Sequence, residues 1–208
     1  MENKHTPDLP VQPLNPWFSI WTQPRKTIRQ QLDKEPGGFT ELLAMTGGIA
    51  MALTNGIQAS NVNFNALVTS AVLGGSLFGI LQLSLASALI RFTGKWLGGT
   101  GKYSEIRTAL AWSNVPNTWS LILWIPVLFL YEGKFLGGIF RPISSGSITV
   151  FIVIIAVITI WTFFIQVKCI AEAQRFSAWR AAVNMILAGL VIAVFLLGFM
   201  MLFYYQKP

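Results

Sequence analysis

Residues 66–107 read ALVTSAVLGGSLFGILQLSLASALIRFTGKWLGGTGKYSEIR. The first 25 of them carry no charge, and Arg91, Lys95, Lys102 and Arg107 then follow within 17 positions. An uncharged run of that length can cross a ~30 Å hydrocarbon core as one α-helix, which needs about 20 apolar residues. Cations gathered at one end of such a run mark the end that stays in the cytoplasm.

Four further apolar stretches lie on either side of this one, so that the spans fall at about 39–60, 66–90, 110–131, 148–167 and 181–205. The 15 cations between them alternate in density. Five precede the first span, four follow the second and three follow the fourth, which gives twelve on one side. The gap at about 61–65 has none, the gap at 132–147 holds Lys134 and Arg141, and the C-terminal end holds Lys207, which gives three on the other. The pattern predicts an all-α integral membrane protein of five transmembrane helices, N-terminus cytoplasmic and C-terminus outside. A four-span reading that drops the weak, Gly- and Asn-bearing first stretch would put the two largest cation groups on opposite faces.

Composition agrees. The chain is 53% hydrophobic and 11% charged, against about 25% charged for a soluble domain. The net charge of +7 is read as topology signal and headgroup contact, not as nucleic-acid binding. Residues 1–15 read as a disordered tail. Residues 16–38 read as a cytoplasmic interfacial segment, and 39–208 as the five-span domain. In the interfacial segment Trp17 and Trp21 precede a helix opened by Pro24. Its apolar edge, Ile28 and Leu32, is flanked by Arg25, Lys26 and Arg29, a pattern expected of an amphipathic helix lying on an anionic leaflet.

Within the spans, Gly75 and Gly79 make a small-xxx-small step, as do Ser84 with Ala88 and Gly189 with Ala193; such steps let helices approach closely in lipid. They are read mainly as intrachain packing, with a homo-oligomer left open. The third span is irregular. Pro116 and Pro126 each remove a backbone donor, and Asn114 and Asn117 surround the first. A helix near the cytoplasmic face over about 105–115, with the crossing completed by Tyr131, is expected.

No carboxylate lies in the middle of a span, and the lone His5 is in the tail. Catalytic, cofactor and metal sites are therefore not expected. Asn55, Gln82, Asn114, Asn117, Gln166 and Asn184 could line a path, though interhelical hydrogen bonding is the commoner use. The lone Cys169 reads as a small apolar filler. The loop 98–107, GGTGKYSEIR, fails the phosphate-loop pattern, since Trp96 stands where its first glycine belongs and Tyr103 where Ser or Thr follows the lysine. It reads as a glycine turn, with Ser104 capping the next helix and Glu105 in its first turn.

The stretch 98–116, GG-x-GKYSEIRTALAWSNVP, resembles the Yip1 domain family, and NPWFSIWTQPRKTIRQ at 15–30 is similar to what bacterial members place before the first span. The likeness covers about 15–205. It implies five spans with a cytoplasmic N-terminus and a bacterial-type member in the cell membrane, or in the ER or Golgi membrane for a eukaryotic one. The DLYGP motif of eukaryotic relatives is absent, so no Rab-type GTPase is implied. The resemblance implies a non-enzymatic accessory or scaffold role, with an ABC-type transporter as one kind of partner. The residues expected to meet a partner or lipid are Trp17, Trp21, Arg25, Lys26, Arg29, Lys102, Tyr103, Glu105 and Arg107, on a presentable 92–109 loop and the Trp-rich segment. The alternative is a channel or carrier whose path runs beside Asn114, Pro116 and Asn117.

Overall fold

A computed structural model of the chain describes residues 13–34, 39–56, 64–131 and 145–205. Its described residues form helices α1 (Pro16–Ser19), α2 (Pro24–Leu32), α3 (Phe39–Gly56), α4 (Phe64–Thr69), a π-helical turn (Ser70–Gly75), α5 (Ser76–Trp96), α6 (Tyr103–Ser113), α7 (Val115–Tyr131), α8 (Ser145–Gln174) and α9 (Ala178–Tyr205). Three continuous helical stretches are long and apolar enough to cross a membrane: Asn65–Trp96, Thr149–Gln174 and Ala178–Leu202. They carry the second, fourth and fifth expected spans. The stretches expected as the first and third spans fall on the shorter α3 and on α6 with α7.

Side-chain levels give the directions. Along α3 and α5 the close approaches run Ala44–Gly79, Gly48–Gly75 and Gly56–Leu67, so these helices are antiparallel. Along α3 and the α6–α7 pair they run Glu41–Arg107, Thr46–Thr118 and Leu53–Trp124, so these are parallel. Asn117 meets Thr162 and Trp124 meets Phe151, which sets α8 antiparallel to α7. A three-residue turn then folds α9 back. The result is an up-and-down bundle.

The α3–α5 seam is the tightest contact. A Cβ at Gly48 would fall 2.0 Å from the Gly75 carbonyl oxygen, and one at Gly79 would fall 2.1 Å from that of Ala44. The expected Gly75/Gly79 step is thus used within the chain. The π turn ends at Gly75; its wider i→i+5 bonding sits where that carbonyl presses on α3. Gly189 behaves differently. An added Cβ there meets nothing within 4 Å, and Ala193 is exposed, so intrachain packing does not use that step. Most of α9 is exposed apolar surface, as suits a helix facing lipid.

The expected disordered tail lies outside the described residues for 1–12. Residues 13–15 depart from it: Leu14 donates its backbone N–H to Gln30 (3.0 Å), and the Asn15 side chain caps α1 by accepting from Trp17 N–H (3.1 Å). The α2 helix departs too. Its apolar edge was expected on lipid, yet Ile28 is fully buried in the main core with Ile106 and Ile170, and Leu32 packs against the same cluster. The protein covers this face because α6 and α8 extend far enough along the bundle to receive it.

Candidate functional site

Two places bring together side chains with chemistry. One is the layer at the cation-bearing end of the bundle; the other is a polar cavity between the helices.

At the end layer, Trp17 stacks edge-on against Trp112 (5.7 Å) and Phe39 (6.4 Å), while Phe18 leans on Trp119 (5.6 Å). Three ion pairs bind the elements. Arg29 on α2 donates to Glu172 on α8, through Nε at 2.7 Å and through its NH2 group as well. Arg107 on α6 reaches Glu41 on α3 (2.6 Å), and Arg175 after α8 reaches Glu105 on α6 (2.8 Å). Such exposed pairs contribute about 0–1 kcal/mol each, so they fix register more than they stabilise.

Of the residues expected to meet a partner or lipid, Arg29, Glu105 and Arg107 are thus engaged internally. Trp17 and Trp21 are half-buried against the core. Tyr103 is half-buried, its hydroxyl 3.4 Å from the Ser84 carbonyl. Arg25, Lys26 and Lys102 are exposed, and none has an ion-pair partner among the described residues. Arg25, Lys26 and Lys34 border an open cleft of about 840 Å³ between α2 and Glu172.

The presentable 92–109 loop is mostly helix. Only residues 97–102 are non-helical, and they are stapled down. The buried Gln174 side chain accepts from Gly101 N–H (3.3 Å) and donates to the Ile90 carbonyl (3.1 Å), while its own carbonyl accepts from Thr100 N–H (3.2 Å). Asn184, also buried, donates to the same Ile90 carbonyl (3.1 Å) and meets Thr93 at 2.5 Å. The glycines make room: a Cβ at Gly94 or Gly99 would lie 2.2 or 2.3 Å from the Gln174 amide. Gly98 takes φ +81°, the left-handed region where glycine is at ease. The helix cap also differs from expectation. Lys102 occupies the cap position, and Glu105 accepts its backbone N–H at 2.7 Å, so α6 begins two residues before the position expected from Ser104.

The second place lies at the break in the third span. Asn114 ends α6 with φ −83° and ψ 0°, and α7 resumes at Val115. Pro116 is fully buried, and its missing N–H is tolerated in the first turn of α7. Beside this break is a cavity of about 430 Å³ walled by α3, the π turn's continuation α5, α6, α7, α8 and α9. Five carboxamides border it: Asn55, Gln82, Asn114, Asn117 and Gln166. Asn117 donates to Asn114 Oδ1 (3.2 Å) and accepts from Thr162 (3.4 Å). Of the six amides expected along a path, only Asn184 lies elsewhere, in the loop staple. Sequence reasoning missed Gln174; its signal was the unusual density of glycine at 94–101, which needs a polar side chain to bind the exposed backbone.

Among the described residues no three His, Cys, Asp or Glu side chains gather to hold a metal ion. Cys169 is buried, consistent with a packing role. A sequence model described as the Yip1 domain matches residues 18–200, most of the chain. No curated protein and no solved structure matches it.

Proposed function

Since the chain belongs to the Yip1 domain family and is a membrane protein, we propose that it is a non-enzymatic scaffold or accessory subunit of another membrane machine. It would sit in the cell membrane with five crossings, the short ones made by α3 and by α6 with α7. Its N-terminus is cytoplasmic and its C-terminus outside. The alternating helix directions and the twelve-to-three division of cations support that topology. The observation that carries the role is the end layer: the Arg29–Glu172 pair and the buried Ile28 hold α2 on the bundle, while Arg25, Lys26 and Lys34, without an ion-pair partner among the described residues, border an open cleft. A preordered cationic surface suits an acidic segment of a membrane partner, an ABC-type transporter being one, or the anionic leaflet. Photo-crosslinking from position 26 in native membranes tests it. A reproducible membrane-protein adduct, lost in Arg25→Glu with Lys34→Glu, is expected. No adduct, with an unaltered phenotype in the charge-reversed chain, would count against the proposal.

The cavity favours a second reading, a carrier in its own right. Five amides beside a broken helix are what an uncharged path would need. Solute flux in liposomes that falls in Asn114→Leu and Asn117→Leu supports it, and flux equal to empty liposomes removes it.

A further inference from the structure

The cavity beside the α6–α7 break has walls of a particular chemistry. Each carboxamide carries two donors and one acceptor oxygen. Asn114 and Asn117 spend part of that capacity on each other, but Asn55, Gln82 and Gln166 make no side-chain hydrogen bond among the described residues, and Gln82 lies near the middle of a helix able to span a membrane. These amides face the cavity with their hydrogen-bonding capacity unspent, and at membrane depth an occupant that returns those bonds is favoured. Among the described residues no Asp, Glu, Lys, Arg or His borders it. An ion would therefore enter without a countercharge. The remaining wall is apolar, with Met51 and Met185 among the lining. A ring or chain that offers hydroxyls on its edges and C–H on its faces satisfies both kinds of wall.

We propose that this cavity binds an uncharged polyhydroxylated group, either a sugar in solution or the sugar headgroup of a lipid. The site shares its location with the carrier reading but not its claim: binding is read at equilibrium, so a bound sugar without flux sinks only the carrier, and flux without sugar binding sinks only this inference.

The test uses the full chain in phosphatidylcholine nanodiscs. Radiolabelled glucose is the soluble probe, a monoglucosyl diacylglycerol titrated into the discs is the lipid probe, and radioactive rubidium is the ionic control. Saturable binding of glucose assigns a soluble ligand; saturable binding of the glycolipid alone assigns a lipid headgroup. Gln82→Leu should weaken either by about tenfold. A second variant guards against misfolding. A Cβ at Gly47 meets only the Asn114 side chain, at 3.9 Å, so Gly47→Ala sets a methyl beside Asn114 without a backbone clash and should weaken binding by about tenfold or more at or above wild-type thermal stability. Saturable rubidium binding in place of either sugar, no saturable binding at all, or sugar binding retained in both variants overturns the proposal.

Discussion

Replacing Gly48 by alanine adds one carbon where α3 meets α5. That carbon would lie 2.0 Å from the Gly75 oxygen and 2.8 Å from the Gly79 Cα and N. All three are backbone atoms, so no rotamer change relieves the contact. The helices must part by more than about 1 Å, and a gap of that size forfeits up to about half of each dispersion contact along the seam. Overpacking costs roughly 1–3 kcal/mol and occasionally more, here about 3–5 kcal/mol because backbone atoms cannot turn away. Alanine returns about 1 kcal/mol through helix propensity, leaving a net loss of about 2–4 kcal/mol. For a chain near 200 residues each kcal/mol moves Tm by roughly 2–4 °C, so a fall of about 5–15 °C is expected. The assay is thermal unfolding in detergent followed by circular dichroism, with Gly74→Ala and Gly189→Ala as controls, because a Cβ at either meets nothing within 4 Å. Both controls should melt at or slightly above the wild-type temperature. If Gly48→Ala melts with them, the two helices do not touch through these glycines and the packing argument fails.

Gln174→Ala removes the side chain that holds the glycine loop. It should destabilise by about 1–3 kcal/mol and speed amide hydrogen exchange at Gly101 at least tenfold; unchanged exchange there would show that the loop stands without the staple. Asn184→Leu leaves Thr93 without its partner amide and should cost about 1–3 kcal/mol by detergent unfolding. Arg175→Ala breaks only an exposed pair with Glu105, and its loss of stability should stay within about 1 kcal/mol; a drop as large as that of Gln174→Ala would mean that the end layer is held by charge.

The helical bundle was legible in the uncharged runs, because an apolar stretch of about 20 residues marks a membrane-competent helix independently of its packing. Uncharged runs at 66–90, 148–167 and 181–205 fall on the three helices that, among the described residues, are long and apolar enough to cross a membrane. The break around Asn114 and Pro116 was also legible, since a missing backbone donor is written in the residue type. What the cations do after folding was not. Arg29, Arg107 and Arg175 have the same look as Arg25 and Lys26 on paper, and only the spacing of α2, α3, α6 and α8 decides which of them meet carboxylates. The same holds for small residues. Gly75 and Gly189 each begin a small-xxx-small step, yet one lies against backbone and the other faces open space. Periodicity identifies a face able to pack, not the neighbour that packs on it.

The α6 helix belongs to both candidate sites. Glu105 and Arg107 stand near its first turn, and Asn114 ends it beside the cavity; eleven residues place these ends about 16 Å apart. Between them Ile106, Ala109 and Ala111 are fully buried. The two sets of contacts differ in strength. Each exposed ion pair is worth about 1 kcal/mol or less, whereas a buried side chain such as Ile106 contributes about 1.5–3 kcal/mol by burial alone. The position of α6, and with it the shape of the cavity, is therefore set by the apolar packing. The ion pairs can be exchanged for contacts with a partner without moving Asn114. Arg107→Ala should accordingly leave sugar binding within about twofold of wild type, because a twofold change corresponds to less than half a kcal/mol. A larger loss would show that the end layer and the cavity act as one device, and a scaffold role separate from the ligand would then no longer hold.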